Sequence, residues 1–335
     1  VKVGQPVILQ PLPGQFPLHA GSVVGVLKRR HQPLRPTVLG PVGKADGHRG
    51  ARGNRPENTL AGFTFAAEAG VDGLELDIRI STDSQIIVHH DEQLNCDLTR
   101  NHAGQWLEHN GPAIGDLTLA ELKQFDIGRI NPVSELSKLF PIQVPVDGER
   151  ICTLSEVAQF CKNLQTGAPT LNIELKSDPL QSHATRPPHE YALLVVREIE
   201  KLALLDISWV QSFDWSLLRQ VQQLCPEITT CYLTCQDPGY DTVGGQRGSP
   251  WLAGFDLVHF DGNIAAAVRA AGGRIWGPSI DDLSNRRVDE ARAVGMPIHC
   301  WTVNRNDEIK QLMKWQLAGL TTDYPELAVR LTHRK

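Results

Sequence analysis

Short apolar runs of β-type residues alternate with amphipathic stretches along most of the chain. Residues 59–68 place Leu60, Phe63 and Ala67 on one helical face, and Gly70 follows at the usual position of a C-terminal glycine. The same periodicity predicts helices over residues 154–163, 190–204, 215–224, 263–271, 287–294 and 307–314. Strands are predicted over residues 73–78, 85–89, 171–175, 207–213, 228–233, 255–260, 274–276, 297–303 and 320–322. Such alternation is typical of parallel strands with crossover helices, and about eight such units fit an α/β fold of the (β/α)8 TIM barrel type.

Two segments interrupt this alternation. Residues 1–42 are rich in proline and glycine, and we expect an N-terminal arm or an extension that closes the barrel bottom. The barrel itself is expected over residues 43–331. Residues 92–150, which include a short predicted helix at 118–125, are too long for an ordinary loop. We expect them to form a small inserted subdomain over the catalytic face, after the second or third strand.

Composition and charge exclude several classes of partner. The 335 residues are 41% hydrophobic and 21% charged, and the net charge of −5 provides no long-range attraction for nucleic acid. No run of about 18 apolar residues is present, so no stable membrane insertion is expected. Whether the chain forms a homo-oligomer stays open.

The seven cysteines are an odd number without a disulfide-framework pattern, and we expect free, mostly buried thiols. A reducing, cytoplasmic location is therefore expected. The first residues carry no visible signal peptide, but the numbering starts at a valine, so a periplasmic or secreted protein stays open.

Two predicted strands end in pairs of charged residues. Glu75 and Asp77 are two positions apart, so both side chains project to one face, and Glu174 and Lys176 repeat this spacing. At the C-terminal end of a barrel strand that face looks into the mouth of the barrel, where such folds build their sites. Three carboxylates without cysteine suit one hard divalent cation, Mg²⁺ or Ca²⁺. Taken singly, such pairs are more often solvated strand ends.

Two histidine-containing segments are candidates for acid–base chemistry. His48 is followed by Arg49 and Gly50, and the glycine frees the backbone to turn towards a ligand. In the run ending His89-His90, strand alternation directs the two imidazoles to opposite faces, so only one of them points into the mouth. A lone histidine is more often a structural hydrogen-bonding residue, and that alternative stays open on the residues alone.

Read in order, these blocks resemble the glycerophosphodiester phosphodiesterase family. The resemblance runs from residue 47 to residue 331. It rests on His48-Arg49-Gly50, Pro56-Glu57-Asn58-Thr59, Glu75 with Asp77, His90-Asp91, Trp301-Thr302-Val303-Asn304 and the closing segment Gly319 to Pro325. The family implies a TIM barrel with an insertion at this point and a phosphoric diester hydrolase. The expected reaction is metal-dependent hydrolysis of glycerophosphodiesters to sn-glycerol 3-phosphate and an alcohol.

The resemblance also implies roles for individual residues. His48 and His90 would be the catalytic pair, with His48 as base and His90 as acid, while His89 would pack or support the site indirectly. The phosphate would be bound by Arg49 and Lys176, and the metal by Glu75, Asp77 and Glu174. The wall of the mouth would be formed by Trp301, Trp276 and Asn304. Glu57 would brace Arg49 or act on the metal indirectly. Two other functions stay open. One is a lysophospholipase D-like enzyme with an apolar channel at the inserted subdomain, and the other is a catalytically silent binding barrel.

The chain departs from the family pattern at three places. Residues 43–46 stand where an apolar first strand is usual, which makes the placement of that strand uncertain. Residues 95–97 replace an arginine–threonine run after the second histidine motif. This change is expected to affect the insertion and substrate choice, but not the catalytic pair. Gln316 and Ala318 replace a glycine and an acidic residue before the closing strand.

Overall fold

The computed structural model describes residues 43–333 except residue 166 and the segments 182–184 and 245–247. The arm predicted at residues 1–42 lies outside the described residues. The strands are β1 (Lys44–Gly47), β2 (Gly73–Ile80), β3 (Ile86–Val88), β4 (Thr170–Leu175), β5 (Ser208–Ser212), β6 (Thr229–Thr234), β7 (Gln236–Asp237), β8 (Tyr240–Asp241), β9 (Ile275–Pro278), β10 (His299–Cys300) and β11 (Gly319–Thr322).

Eight of these strands form a parallel barrel in the order β10-β11-β1-β2-β4-β5-β6-β9. Parallel bridges from Trp276 to Ile298 and from Ser279 to Trp301 join the two ends of that order. The predicted (β/α)8 TIM barrel is therefore confirmed. Its first strand is the short segment at 44–47, although Lys44 and Asp46 make it less apolar than a typical barrel strand.

Most of the helices cover the outside of the barrel. They are α1 (Leu60–Ala69), α2 (Leu119–Leu122), α3 (Glu135–Leu139), α4 (Leu154–Lys162), α5 (Pro188–Lys201), α6 (Trp215–Leu224), α7 (Ile264–Ala270), α8 (Asn285–Ala293), α9 (Asn306–Lys314) and α10 (Pro325–Thr332). Helix α1 begins where the Thr59 hydroxyl accepts the Gly62 amide at 3.1 Å, and it ends at Gly70, whose φ of 84° is left-handed. Among the helices that the structure describes, none has the length and apolar character needed to cross a bilayer.

Polar side chains lie inside the barrel, below the mouth. Asp46 is 2% exposed, and its Oδ2 lies 3.4 Å from the amide nitrogen of Asn172 and 3.5 Å from His299 Nε2. Gly73 makes room for this carboxyl group, because a Cβ at that position would lie 2.3 Å from Asp46 Oδ1. Burial and the nearby Asp72 raise the pKa of Asp46 to about 7. The departure from an apolar first strand thus places a buried carboxyl group in the barrel.

Two strand predictions need correction. The segment at 85–89 forms the short strand β3, which pairs antiparallel with β2 and lies off the barrel. The strand predicted at 255–260 is wrong, because the segment contains a 3-10 helix, Leu257–Phe260, capped by the Asp256 side chain. No barrel edge is available to it, since β6 pairs directly with β9.

Residues between β3 and α4 contain no barrel strand. They carry short helices and pack around a small apolar cluster formed by Ile87, Leu94, Ile114, Leu122 and Ile151. This segment covers the region where the insertion is expected. Helix α3 within it has no counterpart among the predicted elements.

Candidate active site

Three buried carboxylates meet at the C-terminal ends of β2 and β4. Asp77 and Glu174 are register partners, and Glu75 precedes Asp77 on the same face of β2. One ligand oxygen from each of the three lies within 4.8 Å of those from the other two. Burial, Asp77 and Glu174 raise the pKa of Glu75 well above its usual value. Burial alone would also raise the pKa of Asp77, but Arg49, His90 and Lys176 hold it well below its usual value. Such a buried, mutually repelling set of oxygen donors fits a hard divalent cation.

Two amide side chains hold these carboxylates in place. Asn58 Nδ2 donates to Asp77 Oδ2 at 2.9 Å, and Gln211 Nε2 donates to Glu75 Oε1 at 3.3 Å. Neither residue was assigned a role in the site from the sequence. Gln211 is the register neighbour of Glu174 at the end of β5, a position that could have indicated its role.

His48 follows β1 and lies at the cavity. Its Nδ1 is 2.6 Å from Asp323 Oδ1, and its Nε2 is 4.0 Å from Glu75 Oε2. Burial tends to raise the pKa of Asp323, but its attraction to His48 lowers it. Asn304 Nδ2 donates to Asp323 Oδ2 at 2.6 Å, so Asn304 holds this carboxylate and does not line the mouth as expected. Asp323 was recognised only as part of the closing motif, and its contact with His48 was missed.

His90 has an analogous carboxylate partner. Its Nδ1 lies 2.6 Å from Asp91 Oδ1, and Asn95 Nδ2 donates to Asp91 Oδ2 at 2.7 Å. Burial, Arg49 and Lys176 lower the pKa of His90 to about 3. The departure at residues 95–97 therefore reaches the candidate pair, because Asn95 donates to the carboxylate that contacts His90.

His89 occupies a different environment from His90. It is 8% exposed, and burial lowers the pKa of its imidazole to about 4. Its backbone amide donates to the Asp77 carbonyl at 3.0 Å. Its side chain borders a small void of about 20 Å³ that His90 borders as well, whereas of the two histidines only His90 is in the described lining of the main cavity.

Two arginines share one carboxylate beside the carboxylate triad. Arg49 donates to Glu57 Oε1 at 2.7 Å, and Arg52 donates to Glu57 Oε2 at 2.6 Å. Burial alone would lower the pKa of Arg49, but Glu57, Asp77 and Glu75 more than offset this and raise it. Burial alone would raise the pKa of Glu57, but the two arginines lower it to about 2. Glu57 thus braces Arg49, which is the first of its two expected roles, and Arg52 joins the site unpredicted.

The Lys176 ammonium lies among the same carboxylates. Its Nζ is 2.6 Å from Glu174 Oε1 and 3.6 Å from Asp77 Oδ1. Both Arg49 and Lys176 border the cavity that contains the two histidines. Two side-chain cations therefore border this cavity.

This cavity of about 500 Å³ has one polar and one aromatic side. The aromatic side consists of Phe213, Tyr240, Trp251 and Trp301, whose rings meet edge to face at centroid distances from 5.3 to 6.4 Å. Trp276 does not belong to it. Its ring is 1% exposed, packs in the core around the barrel and donates to Thr234 Oγ1 at 2.9 Å.

The aromatic side also differs in position from the expected apolar channel. It is built by residues that follow β5, β6 and β10, whereas residues 92–150 contribute Glu92 to the described lining of this cavity. The structure therefore places the apolar surface away from the insertion.

Comparison with known proteins agrees with this arrangement. The model of the glycerophosphoryl diester phosphodiesterase family matches residues 48–327. A glycerophosphodiester phosphodiesterase from Caldanaerobacter subterraneus is 28% identical over 294 residues, covering 86% of this chain and 96% of its own length. A lysophospholipase D from Homo sapiens is 47% identical over 280 residues, covering 83% and 82% of the two chains.

Solved structures show the same architecture. A Silicibacter pomeroyi protein, provisionally assigned as a glycerophosphoryl diester phosphodiesterase, superposes with a TM-score of 0.77 at 31% identity, covering 88% of this chain and 94% of its own. An Oleispira antarctica phosphodiesterase shares the fold with a TM-score of 0.64 at 22% identity, covering 88% and 98%. The chain belongs to the glycerophosphoryl diester phosphodiesterase family and is a phosphoric diester hydrolase.

Proposed function

We propose that this protein hydrolyses glycerophosphodiesters to sn-glycerol 3-phosphate and an alcohol, with one divalent cation and with His48 and His90 as the proton-transfer pair. One observation carries the proposal: two histidines, each with Nδ1 held 2.6 Å from a carboxylate, border one cavity with Glu75 and Glu174 of the buried carboxylate triad. The name of the Caldanaerobacter subterraneus relative supports this substrate class. The Oleispira antarctica phosphodiesterase was solved in complex with the product sn-glycerol-3-phosphate.

The donor set fits the expected cation. Glu75, Asp77 and Glu174 would hold Mg²⁺ or Ca²⁺, both of which prefer carboxylate oxygens. When bound, the ion would supply Lewis-acid polarisation of the non-bridging phosphate oxygens. Asn58 and Gln211 orient Asp77 and Glu75 through their amide groups and thereby keep the donor oxygens directed at one point.

Arg49 and Lys176 would stabilise the charge that develops on the phosphoryl oxygens. Arg49 is fixed in advance by Glu57 and by its own amide, which donates to Glu75 Oε2 at 2.8 Å. A donor held before the substrate arrives needs little reorganisation during the reaction, and such preorganised charge contributes most in a site closed to water.

His48 would act as the base. Because the Asp323 carboxylate accepts the Nδ1 proton, Nε2 is left free to take a proton from the nucleophile. The nucleophile is either water or the neighbouring glycerol hydroxyl, which would pass through a cyclic phosphate. His90 would donate a proton to the leaving alcohol. A phosphate bound beside Arg49 and Lys176 offsets their repulsion of an imidazolium, so the pKa of His90 rises when substrate binds.

A second candidate substrate class is the lysophospholipids. The aromatic side of the cavity offers a surface for an acyl chain attached to the glycerol, and the Homo sapiens relative is named a lysophospholipase D. The same polar residues would serve both classes, since the scissile bond is the same.

The decisive experiment uses purified protein stripped of metal. Glycerol 3-phosphate release from glycerophosphocholine is measured after Mg²⁺, Ca²⁺ or Mn²⁺ is added back singly. Metal-restored release supports the proposal and identifies the ion, whereas equal release with and without metal contradicts metal dependence. If glycerophosphocholine is inert with every ion and lysophosphatidylcholine yields choline, the lysophospholipase D alternative replaces the first. Inertness towards both substrates contradicts the proposed function.

A further inference from the structure

A second cavity of about 400 Å³ adjoins the catalytic one. The two cavities have Arg79, Glu92, Lys176 and Thr185 in common, so they lie side by side. Neither His48 nor the aromatic rings of the first cavity border the second one. The second cavity therefore lies apart from the aromatic surface.

Arg79 stands at the junction of the two cavities. Its Nε donates to the His90 carbonyl at 2.9 Å, which fixes the direction of the guanidinium. Among the residues that the structure describes, no carboxylate oxygen lies within 4.0 Å of it, and its terminal nitrogens have no protein acceptor. Arg49 and Arg52, by contrast, are both paired with Glu57. Arg79 is thus a half-buried cation whose outer donors face a space large enough for a ligand.

The other charged groups in the second cavity do not neutralise the positive charge of Arg79. Arg186 adds a second guanidinium, of which one terminal nitrogen donates to the Ser84 hydroxyl at 3.0 Å. Asp116 is exposed to solvent. Burial lowers the pKa of Arg79, and the nearby Tyr191, Asp77, Glu92 and Asp91 raise it only in part, so these acidic groups do not fully offset the burial of the guanidinium. Water can solvate an exposed carboxylate, whereas a half-buried guanidinium gains more from an incoming anion.

The position of this cavity identifies the part of the substrate that would enter it. His90, the residue proposed to protonate the leaving alcohol, has its carbonyl on Arg79. The aromatic surface, which the second cavity does not share, suits the carbon chain of the glycerol half. The alcohol half of the diester would then extend past His90 towards Arg79.

We propose that the second cavity receives the leaving alcohol and that Arg79 selects alcohols that carry an anionic group, either a carboxylate or a phosphate. This inference rests on the proposed function, because it assumes a glycerophosphodiester in the first cavity. It adds a specificity-determining residue that does not take part in the proton transfers.

Matched substrate pairs test the inference. Glycerophosphoserine and glycerophosphoethanolamine differ by one carboxylate, and glycerophosphoglycerol with and without a terminal phosphate differs by one phosphate. We expect kcat/KM to favour the anionic member of at least one pair by about tenfold, the effect of one charge-assisted hydrogen bond. The pair that shows the preference identifies the anion.

Variants then assign the preference to Arg79. Arg79→Gln should reduce the preference to near one, and Arg79→Lys should retain part of it. Because Arg79 also supports His90, any general loss of activity affects both members of a pair and cancels in their ratio. Arg286→Gln, at a side chain that is 77% exposed and outside both cavities, should leave the ratio unchanged.

The outcomes separate this inference from the proposed function. Activity on all four substrates without preference for an anionic member overturns the role of Arg79 and leaves the function intact. A preference that survives Arg79→Gln also overturns it. If no substrate is cleaved, the proposed function fails. The inference is then decided by calorimetry, which measures whether the wild type binds the anionic member of a pair more tightly and whether Arg79→Gln loses that difference in affinity.

Discussion

The buried carboxyl group of Asp46 should make the stability of the barrel depend on pH. It is 2% exposed, and its pKa is raised by burial and by Asp72 from 3.8 to about 7. A carboxyl group whose pKa is higher in the folded state binds more protons when folded, so its contribution to stability is fully present below pH 3.8 and is lost as the pH rises through 7. Asp46→Asn replaces it with a neutral group of the same shape, comparable to the protonated acid.

The size of the effect follows from the two pKa values. A difference of about 3 pKa units corresponds to about 4 kcal/mol over the whole range, at 1.36 kcal/mol per unit. Between pH 5 and pH 8, the folded and unfolded states differ in the protonation of Asp46 over about two pH units, from pH 5 to about pH 7. The free energy of unfolding of Asp46→Asn relative to the wild type should therefore rise by about 3 kcal/mol over that interval.

Urea unfolding of both proteins at pH 5 and pH 8 measures this difference. Asp281→Asn, at an exposed carboxylate, is the matched control and should change stability equally at the two pH values. If Asp46→Asn also shifts stability by the same amount at pH 5 and pH 8, then Asp46 is not a buried acid with a raised pKa, and the reasoning fails.

Three further predictions concern the site. His90→Ala should abolish most of the diesterase activity whereas His89→Ala should be mild, and steady-state kinetics giving the reverse ranking would mean that the wrong imidazole was chosen. Glu174→Gln should lower kcat by several orders of magnitude with an unchanged circular dichroism spectrum, and near wild-type turnover at saturating metal would remove it from the ligand set. Asp323→Asn should lower kcat about 10²- to 10⁴-fold with little change in KM, because Nδ1 of His48 loses its anionic partner. A change confined to KM would indicate a role in binding instead.

Local chemistry made part of this site predictable. The spacing of Glu75 and Asp77 requires both side chains to share a face of a strand, and the structure brings them to Glu174 as expected. The choice of His90 over His89 stays a prediction, because both residues follow the end of β3 and both border the same small void. The inference about the carboxylates succeeded because it depends on a repeat of two residues, which a strand imposes whatever it packs against.

The two-residue repeat does not predict the direction of a side chain where both faces of a strand are buried. Trp276 lies in a strand without an exposed residue, so alternation alone does not tell whether its ring points into the barrel or towards the helices. The apolar run at 255–260 was equally ambiguous, because a short run fits a strand or a helical turn until its neighbours are known.

The sequence by itself determined the β/α alternation, the barrel and the order of the charged motifs, because periodicity and short spacings act within a few residues. The tertiary structure alone decided which distant groups meet. Asp323 reaches His48 across 275 residues and Gln211 reaches Glu75 across 136 residues. Barrel closure sets these contacts by placing β11 beside β1 and β5 beside β4, and no local pattern records that placement.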